Sequence, residues 1–134
     1  MKFFILLAIV FFSSHCKPKN SLKVQDSGWQ EESLKLTSEI CMKLETCYED
    51  LKPKIPKKIE SRLKDTLNNQ NCMEKSKKSN VYFLIGQEKE FIKKSFRECS
   101  AHVYELSCEE IMSGKILSSE SCKFTLKIQS GNNL

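Results

Sequence analysis

The chain has 134 residues, 22 basic against 17 acidic, for a net charge of +5. That length allows one domain, and so mild a positive charge is no case for nucleic-acid binding. Four glycines and three prolines among many Lys, Glu and Leu favour helix, and seven cysteines are the most informative residue type.

Met1-Lys2 supplies one charge, Phe3 to Phe12 is an unbroken apolar run, and Ser13-Ser14-His15-Cys16 follows. This is the layout of a secretory signal peptide over residues 1–15, too short to span a membrane, which needs about 20 apolar residues. Two cleavages are open. A cut before Cys16 leaves an acylated cysteine and a membrane-anchored protein; a cut after it leaves a soluble, secreted one. Loss of Lys2 with the leader lowers the side-chain charge from +5 to +4.

Residues 16–27 form the anchor cysteine and a polar tether. Fully extended at about 3.3 to 3.6 Å per residue, residues 17–27 reach about 35 to 40 Å. Residues 28–122 are expected to form an all-α, disulfide-stapled bundle of three to four helices. The first helix runs from Gly28 to Leu51 with Asp26 or Ser27 as its cap. Its apolar stripe is Leu36, Ile40, Leu44, Cys47, Tyr48 and Leu51, and Pro53 and Pro56 lie beyond its end. The second runs from Pro56 to Asn69 on Ile55, Ile59, Leu63 and Leu67, with Asn68 to Asn71 as a stop.

Residues 73–80 read as a loop or short helix, and Val81 to Ile85 as a strand or the start of a buried helix. A third helix follows Gly86 and extends to about Met112, on Phe91 or Ile92, Phe96, Cys99, Val103 and Leu106. Phe124, Leu126 and Ile128 alternate with polar residues, so residues 123–134 are expected to be a short strand or disordered tail.

The six cysteines after the leader, Cys41, Cys47, Cys72, Cys99, Cys108 and Cys122, are an even set behind an export signal, which implies a disulfide framework in an oxidising compartment. Cys41 and Cys47 on one helix are about 9 Å apart along its axis, and Cys99 and Cys108 about 13.5 Å on theirs. Disulfides need Cα atoms within about 7 Å, so neither pair can close. The spacing favours Cys41 with Cys72, Cys47 with Cys99, and Cys108 with Cys122.

Catalytic and metal motifs are missing from the sequence. After the leader one histidine remains, His102, placed at the edge of the third helix's stripe. There is no C-x-x-C, H-E-x-x-H, G-x-S-x-G or phosphate-binding glycine loop. Ser61-Arg62-Leu63-Lys64 matches S-x-x-K without its companion motifs. The expectation is therefore no catalytic residue, no cofactor and no metal site. Lys52, Lys54, Lys57, Lys58, Arg62 and Lys64 surround a single acid, Glu60. That stretch is either a solvated helix face or, through Lys54, Lys57, Lys58 and Arg62, a contact for anionic lipid, glycan or polymer. Trp29 and Tyr48 read as core, with an interaction surface as the other option.

The segment Phe12 to Lys19 and the cysteine series resemble the small cysteine-rich lipoproteins of leptospires, from which His15 departs by standing where a small residue is usual. The resemblance implies a non-enzymatic envelope lipoprotein lipidated at Cys16, held to the membrane by acyl chains. Its further partner would be a protein, glycan or lipid. The competing class is a secreted helical carrier of a small hydrophobic ligand, such as an insect odorant-binding protein. The cysteine intervals fit that class poorly, because it needs three residues between its second and third cysteines.

Overall fold

The structure is a computed structural model and describes residues 26–131. The expected leader, Cys16 and most of the tether lie outside the described residues. The described residues contain six α-helices and two short 3₁₀ turns and no strand. α1 spans Ser27–Leu51, α2 Lys57–Leu67, α3 Asn69–Ser76, α4 Lys89–Glu105, α5 Cys108–Met112 and α6 Glu120–Gln129. The 3₁₀ turns are Lys52–Lys54 and Lys115–Ser118.

The all-α, disulfide-stapled class is as expected, but there are six helices where three or four were anticipated. Three side-chain caps account for the difference. Asn68, Ser107 and Ser119 each hold extended backbone, and each accepts a hydrogen bond from the amide three residues on: Asn71 at 3.2 Å, Glu110 at 3.2 Å and Cys122 at 3.4 Å. An extended residue ends one helix, and its side chain opens the next. At Ser107 the device is complete, because Glu110 reaches back to the Ser107 amide in a capping box.

These caps correct several sequence expectations. Asn68 ends α2 and starts α3, so Cys72 lies within a helix, not after a stop; of the two readings for residues 73–80, the short helix holds as far as Ser76. The expected third helix breaks at Leu106 and Ser107, and α5 departs on a new axis. The expected strand or tail from residue 123 is α6, whose buried positions Cys122, Thr125 and Ile128 are three apart, while Leu126 is exposed. Residues 81–85 form turns, with Leu84 at φ 53 and Gly86 at φ 110. Val81 and Leu84 there are buried all the same.

α1 is the central element. Asp26 caps it by accepting from the Trp29 amide at 3.0 Å, settling the choice between Asp26 and Ser27. α4 runs beside it in the same direction: Lys93 bridges to Asp26 at 3.0 Å, Arg97 to Glu32 at 2.5 Å, and Lys43 donates to the Tyr104 carbonyl further along. α3 returns antiparallel on α1's other flank, with Thr37 and Ser76 hydroxyls 3.0 Å apart. α6 packs antiparallel to α4, where Phe91 and Phe124 meet edge to face at 4.3 Å.

Clasped from both flanks, α1 buries more than its predicted stripe. Trp29, Ser33, Thr37 and Cys41, four apart, are all buried, whereas Leu36, Ile40 and Leu44 are half-buried. The interior has two clusters. One holds Trp29, Val81, Leu84, Ile92, Phe96 and Ile128; the other holds Cys47, Cys99, Val103, Leu106, Ile111 and Cys122. Ile40 packs against both.

The disulfides are Cys41–Cys72, Cys47–Cys108 and Cys99–Cys122, with Cα separations of 5.9, 5.0 and 4.6 Å. Each ties different helices, and the first is the pair expected. The other two exchange partners relative to expectation. The capping box at Ser107 turns Cys108 off the α4 axis towards Cys47, and α6, helical instead of extended, brings Cys122 back to Cys99.

Candidate functional site

The chain leaves α1 at Leu51 through a 3₁₀ turn closed by the Ile55 amide on the Lys52 carbonyl at 3.1 Å. Pro53 and Pro56 fix the two corners, and α2 starts at Lys57 with Pro56 as its cap. Proline offers no side-chain oxygen, so no side chain caps this N-terminus. Lys57 and Lys58 occupy the first turn, where the helix dipole disfavours cations. Four lysines and the positive end of α2 are thus concentrated at one end of the bundle.

α2 is amphipathic yet buries no residue. At 100° per residue Ile59 and Leu63 share one line of the helix, Lys58 and Arg62 a second, and Lys57 and Lys64 a third on the other side. The apolar line faces a groove of about 380 Å³ whose apolar lining is Leu51, Ile55, Pro56, Ile59, Leu63 and Met112. Lys54, Glu109 and Ser113 complete its wall. Ile59 and Met112 remain 42% and 39% exposed. Met112 arrives from α5, which the Cys47–Cys108 bridge fastens to α1.

Tyr48 supports this end from beneath. Its hydroxyl donates to the Glu60 carbonyl at 3.4 Å, and burial pushes its phenol pKa up, with the Glu60 charge adding to the effect. Glu60 pairs with Lys52 at 3.8 Å. Among the described residues, Lys54, Lys57, Lys58, Arg62 and Lys64 form no salt bridge, and neither do Lys35, Lys43, Lys75, Lys78, Lys89 and Lys127; Lys52, Lys77, Lys93, Lys94, Arg97, Lys115 and Lys123 are paired. The acids nearest in sequence are Glu60 and the exposed Asp65 on α2 itself and the exposed Glu49 and Asp50 at the end of α1, and Glu109 lies on the groove wall.

The structure therefore brings Lys54, Lys57, Lys58 and Arg62 to one end of the molecule and sets an apolar groove among them. Met112 was not among the residues singled out from sequence. Its place depends on a disulfide 61 residues in span, for which no local signal exists. Trp29 and Tyr48 are core residues, each 2% exposed, so the interaction-surface option for them falls away. Ser61 and Lys64 lie on exposed positions of α2.

A second depression runs between α1 and α4, lined by Leu36, Ile40, Ala101, Val103 and Tyr104, about 310 Å³, and continues past Met42 to the Cys47–Cys108 bridge. Lys43 lies across it, hydrogen-bonded to the Tyr104 carbonyl and 5.3 Å from the Tyr104 ring centroid. His102 is half-buried at the edge of α4, its Nε2 3.4 Å from both the Lys115 carbonyl and the Ser118 hydroxyl. Among the described residues no group of His, Cys, Asp and Glu is placed to hold a metal, and no helix is long and apolar enough to cross a membrane.

The class defined by this architecture is a disulfide-stapled helical domain of an oxidising, extracytoplasmic environment. No family model, curated protein or solved structure matches the chain.

Proposed function

We propose that the protein is a lipid-anchored lipoprotein of the cell envelope, acylated at Cys16, with a non-enzymatic role as a surface or structural module. The observation that carries the reading is the cysteine arithmetic. Seven cysteines are present, and the six in the domain satisfy one another in three bridges. None of the three bridges uses Cys16, which stands where the apolar run of the leader ends. Two or three acyl chains on that residue give stable attachment, each buried methylene contributing about 0.8 kcal/mol.

Intact-mass measurement of the mature protein purified from its own membranes tests this. The expected mass is that of a chain starting at Cys16 plus a diacylglycerol and an amide-linked acyl group, in a protein that partitions into detergent. A mature chain starting at Lys17 with no added mass, remaining in the aqueous phase, overturns it in favour of a secreted protein.

A further inference from the structure

We infer that the end of the bundle built by residues 51–64 and Met112 is a second membrane contact, specific for lipid surfaces with anionic headgroups. The inference deepens the anchoring reading and rests on it for the orientation of the domain.

Three observations carry it. α2 has the residue pattern of an amphipathic helix but is not used to fill the core: none of its residues is buried, and its apolar line, with Ile59 at 42% exposure, opens onto a groove that Met112 extends. Five cations that form no salt bridge are then distributed about α2: Lys54 on the groove wall, Lys58 and Arg62 along one side of the helix, Lys57 and Lys64 along another. Of the acids on α2, Glu60 is engaged by Lys52 and Asp65 lies beside Lys64, while Glu109 stands on the groove wall. Apolar residues between basic flanks are the layout of a helix that lies in a headgroup region, where lysine and arginine stems reach outward and the apolar centre meets the acyl boundary. A soluble anionic polymer would engage the cations alone and leave Ile55, Ile59, Leu63 and Met112 in water, which is why lipid is favoured.

The third observation is length. α1 has 25 residues, about 37 Å at 1.5 Å per residue, and it separates Asp26, where the tether joins, from the basic end. The nine residues between Cys16 and Asp26 let those two Cα atoms lie up to about 33 to 36 Å apart. A domain anchored through Cys16 can therefore lie on its side with α2 on the same bilayer. One acyl signal and one basic-apolar signal would then act together, the second gaining from the effective concentration that the first imposes.

The test uses the chain from residue 16 onward carrying Cys16→Ser, which cannot be acylated, so its outcome is separate from that of the mass measurement. Co-sedimentation is measured with vesicles of phosphatidylcholine alone and of phosphatidylcholine mixed with phosphatidylglycerol, at low and physiological salt. Binding is expected to the mixed vesicles only and to weaken with salt. Lys57→Glu/Lys58→Glu/Arg62→Glu should lower it by about a hundredfold or more, each basic residue contributing roughly fivefold near such a surface. Lys75→Glu/Lys78→Glu/Lys89→Glu, the same charge change at the other end, should leave most of it. Ile59→Gln/Met112→Gln should weaken vesicle binding without affecting retention on a sulfated polysaccharide column. Circular dichroism and a nonreducing gel verify that each variant is folded and bridged. Equal losses from the two triple variants, full binding by the first triple or by Ile59→Gln/Met112→Gln, or retention on the polysaccharide with no vesicle binding would each overturn the inference.

Discussion

Removing the Cys47–Cys108 bridge is the perturbation that tests the fold most directly. The bridge spans 61 residues, and the chain-entropy relation assigns such a loop about 4.3 kcal/mol of stabilisation through the unfolded state. The same relation gives about 3.7 kcal/mol for the 31-residue span of Cys41–Cys72 and about 3.4 kcal/mol for the 23-residue span of Cys99–Cys122. Domains of this size are stable by only about 5 to 15 kcal/mol, so the loss is a large share of the total. Alanine is the right replacement, because Cys47 is 1% exposed and a serine there would bury a hydroxyl. In urea, Cys47→Ala/Cys108→Ala should lower the unfolding midpoint by roughly 1.5 to 4 M, for slopes of about 1 to 3 kcal/mol/M. Trp29, the single tryptophan, is a suitable fluorescent reporter. The variant should be less stable than either of the other two bridge deletions. An unchanged midpoint, or a nonreducing peptide map of the parent joining Cys47 to Cys99, would refute the arrangement of α5 against α1.

Trp29→Phe removes the indole hydrogen bond to the Val81 carbonyl at 2.9 Å and opens a small void. The carbonyl keeps the Leu84 amide as donor, so the cost should be about 1 to 2 kcal/mol, read as a lower thermal midpoint. Thr125→Val should be neutral or stabilising by up to about 1 kcal/mol, since the buried Thr125 hydroxyl has no partner; a clear drop in thermal midpoint would show that it has one. The Trp29 amide and then Lys93 hold Asp26 below its usual pKa, as Arg97 does Glu32, Lys115 and then the Ser107 amide Glu110, and Lys123 Glu120. The folded state therefore binds fewer protons than the unfolded chain through the carboxylate range. These contributions are complete above the unfolded values near pH 4 and disappear as pH falls through the lower folded values. Thermal midpoints between pH 6 and pH 2 should fall accordingly, and Glu32→Gln should reduce the fall.

The helical class was legible because α1 carries a polar cap and closes on two prolines, and because its partner helix carries a long stripe from Ile92 to Val103. The break after Glu105 was also written in the chain, as Ser107-Cys108-Glu109-Glu110, but a continuous apolar stripe outweighed that local signal. α6 was obscured for another reason. Its middle buried position is Thr125, so the visible apolar residues alternate like a strand while the buried ones keep helical spacing. Ser33 and Thr37 hid the second face of α1 in the same way. The basic members of the candidate site could be read from consecutive residues. The groove could not, because it needs α5 to be delivered by a bridge that geometry on a falsely continuous helix had assigned elsewhere.

The two interior clusters differ in how they resist force. Cys47, Cys99, Cys108 and Cys122 all belong to or border one cluster, whereas the Trp29 cluster contains no cysteine. The chain enters the domain at Asp26, on the unstapled side. Tension applied through the preceding residues would first strip Asp26 from Lys93 and draw Trp29 from its pocket, unwinding α1 turn by turn. At Cys41 the first covalent link, to Cys72, shares the load with α3. The molecule is thus divided covalently: residues 26–40 lie outside every disulfide loop and can yield, whereas residues 41–122 lie within three overlapping loops.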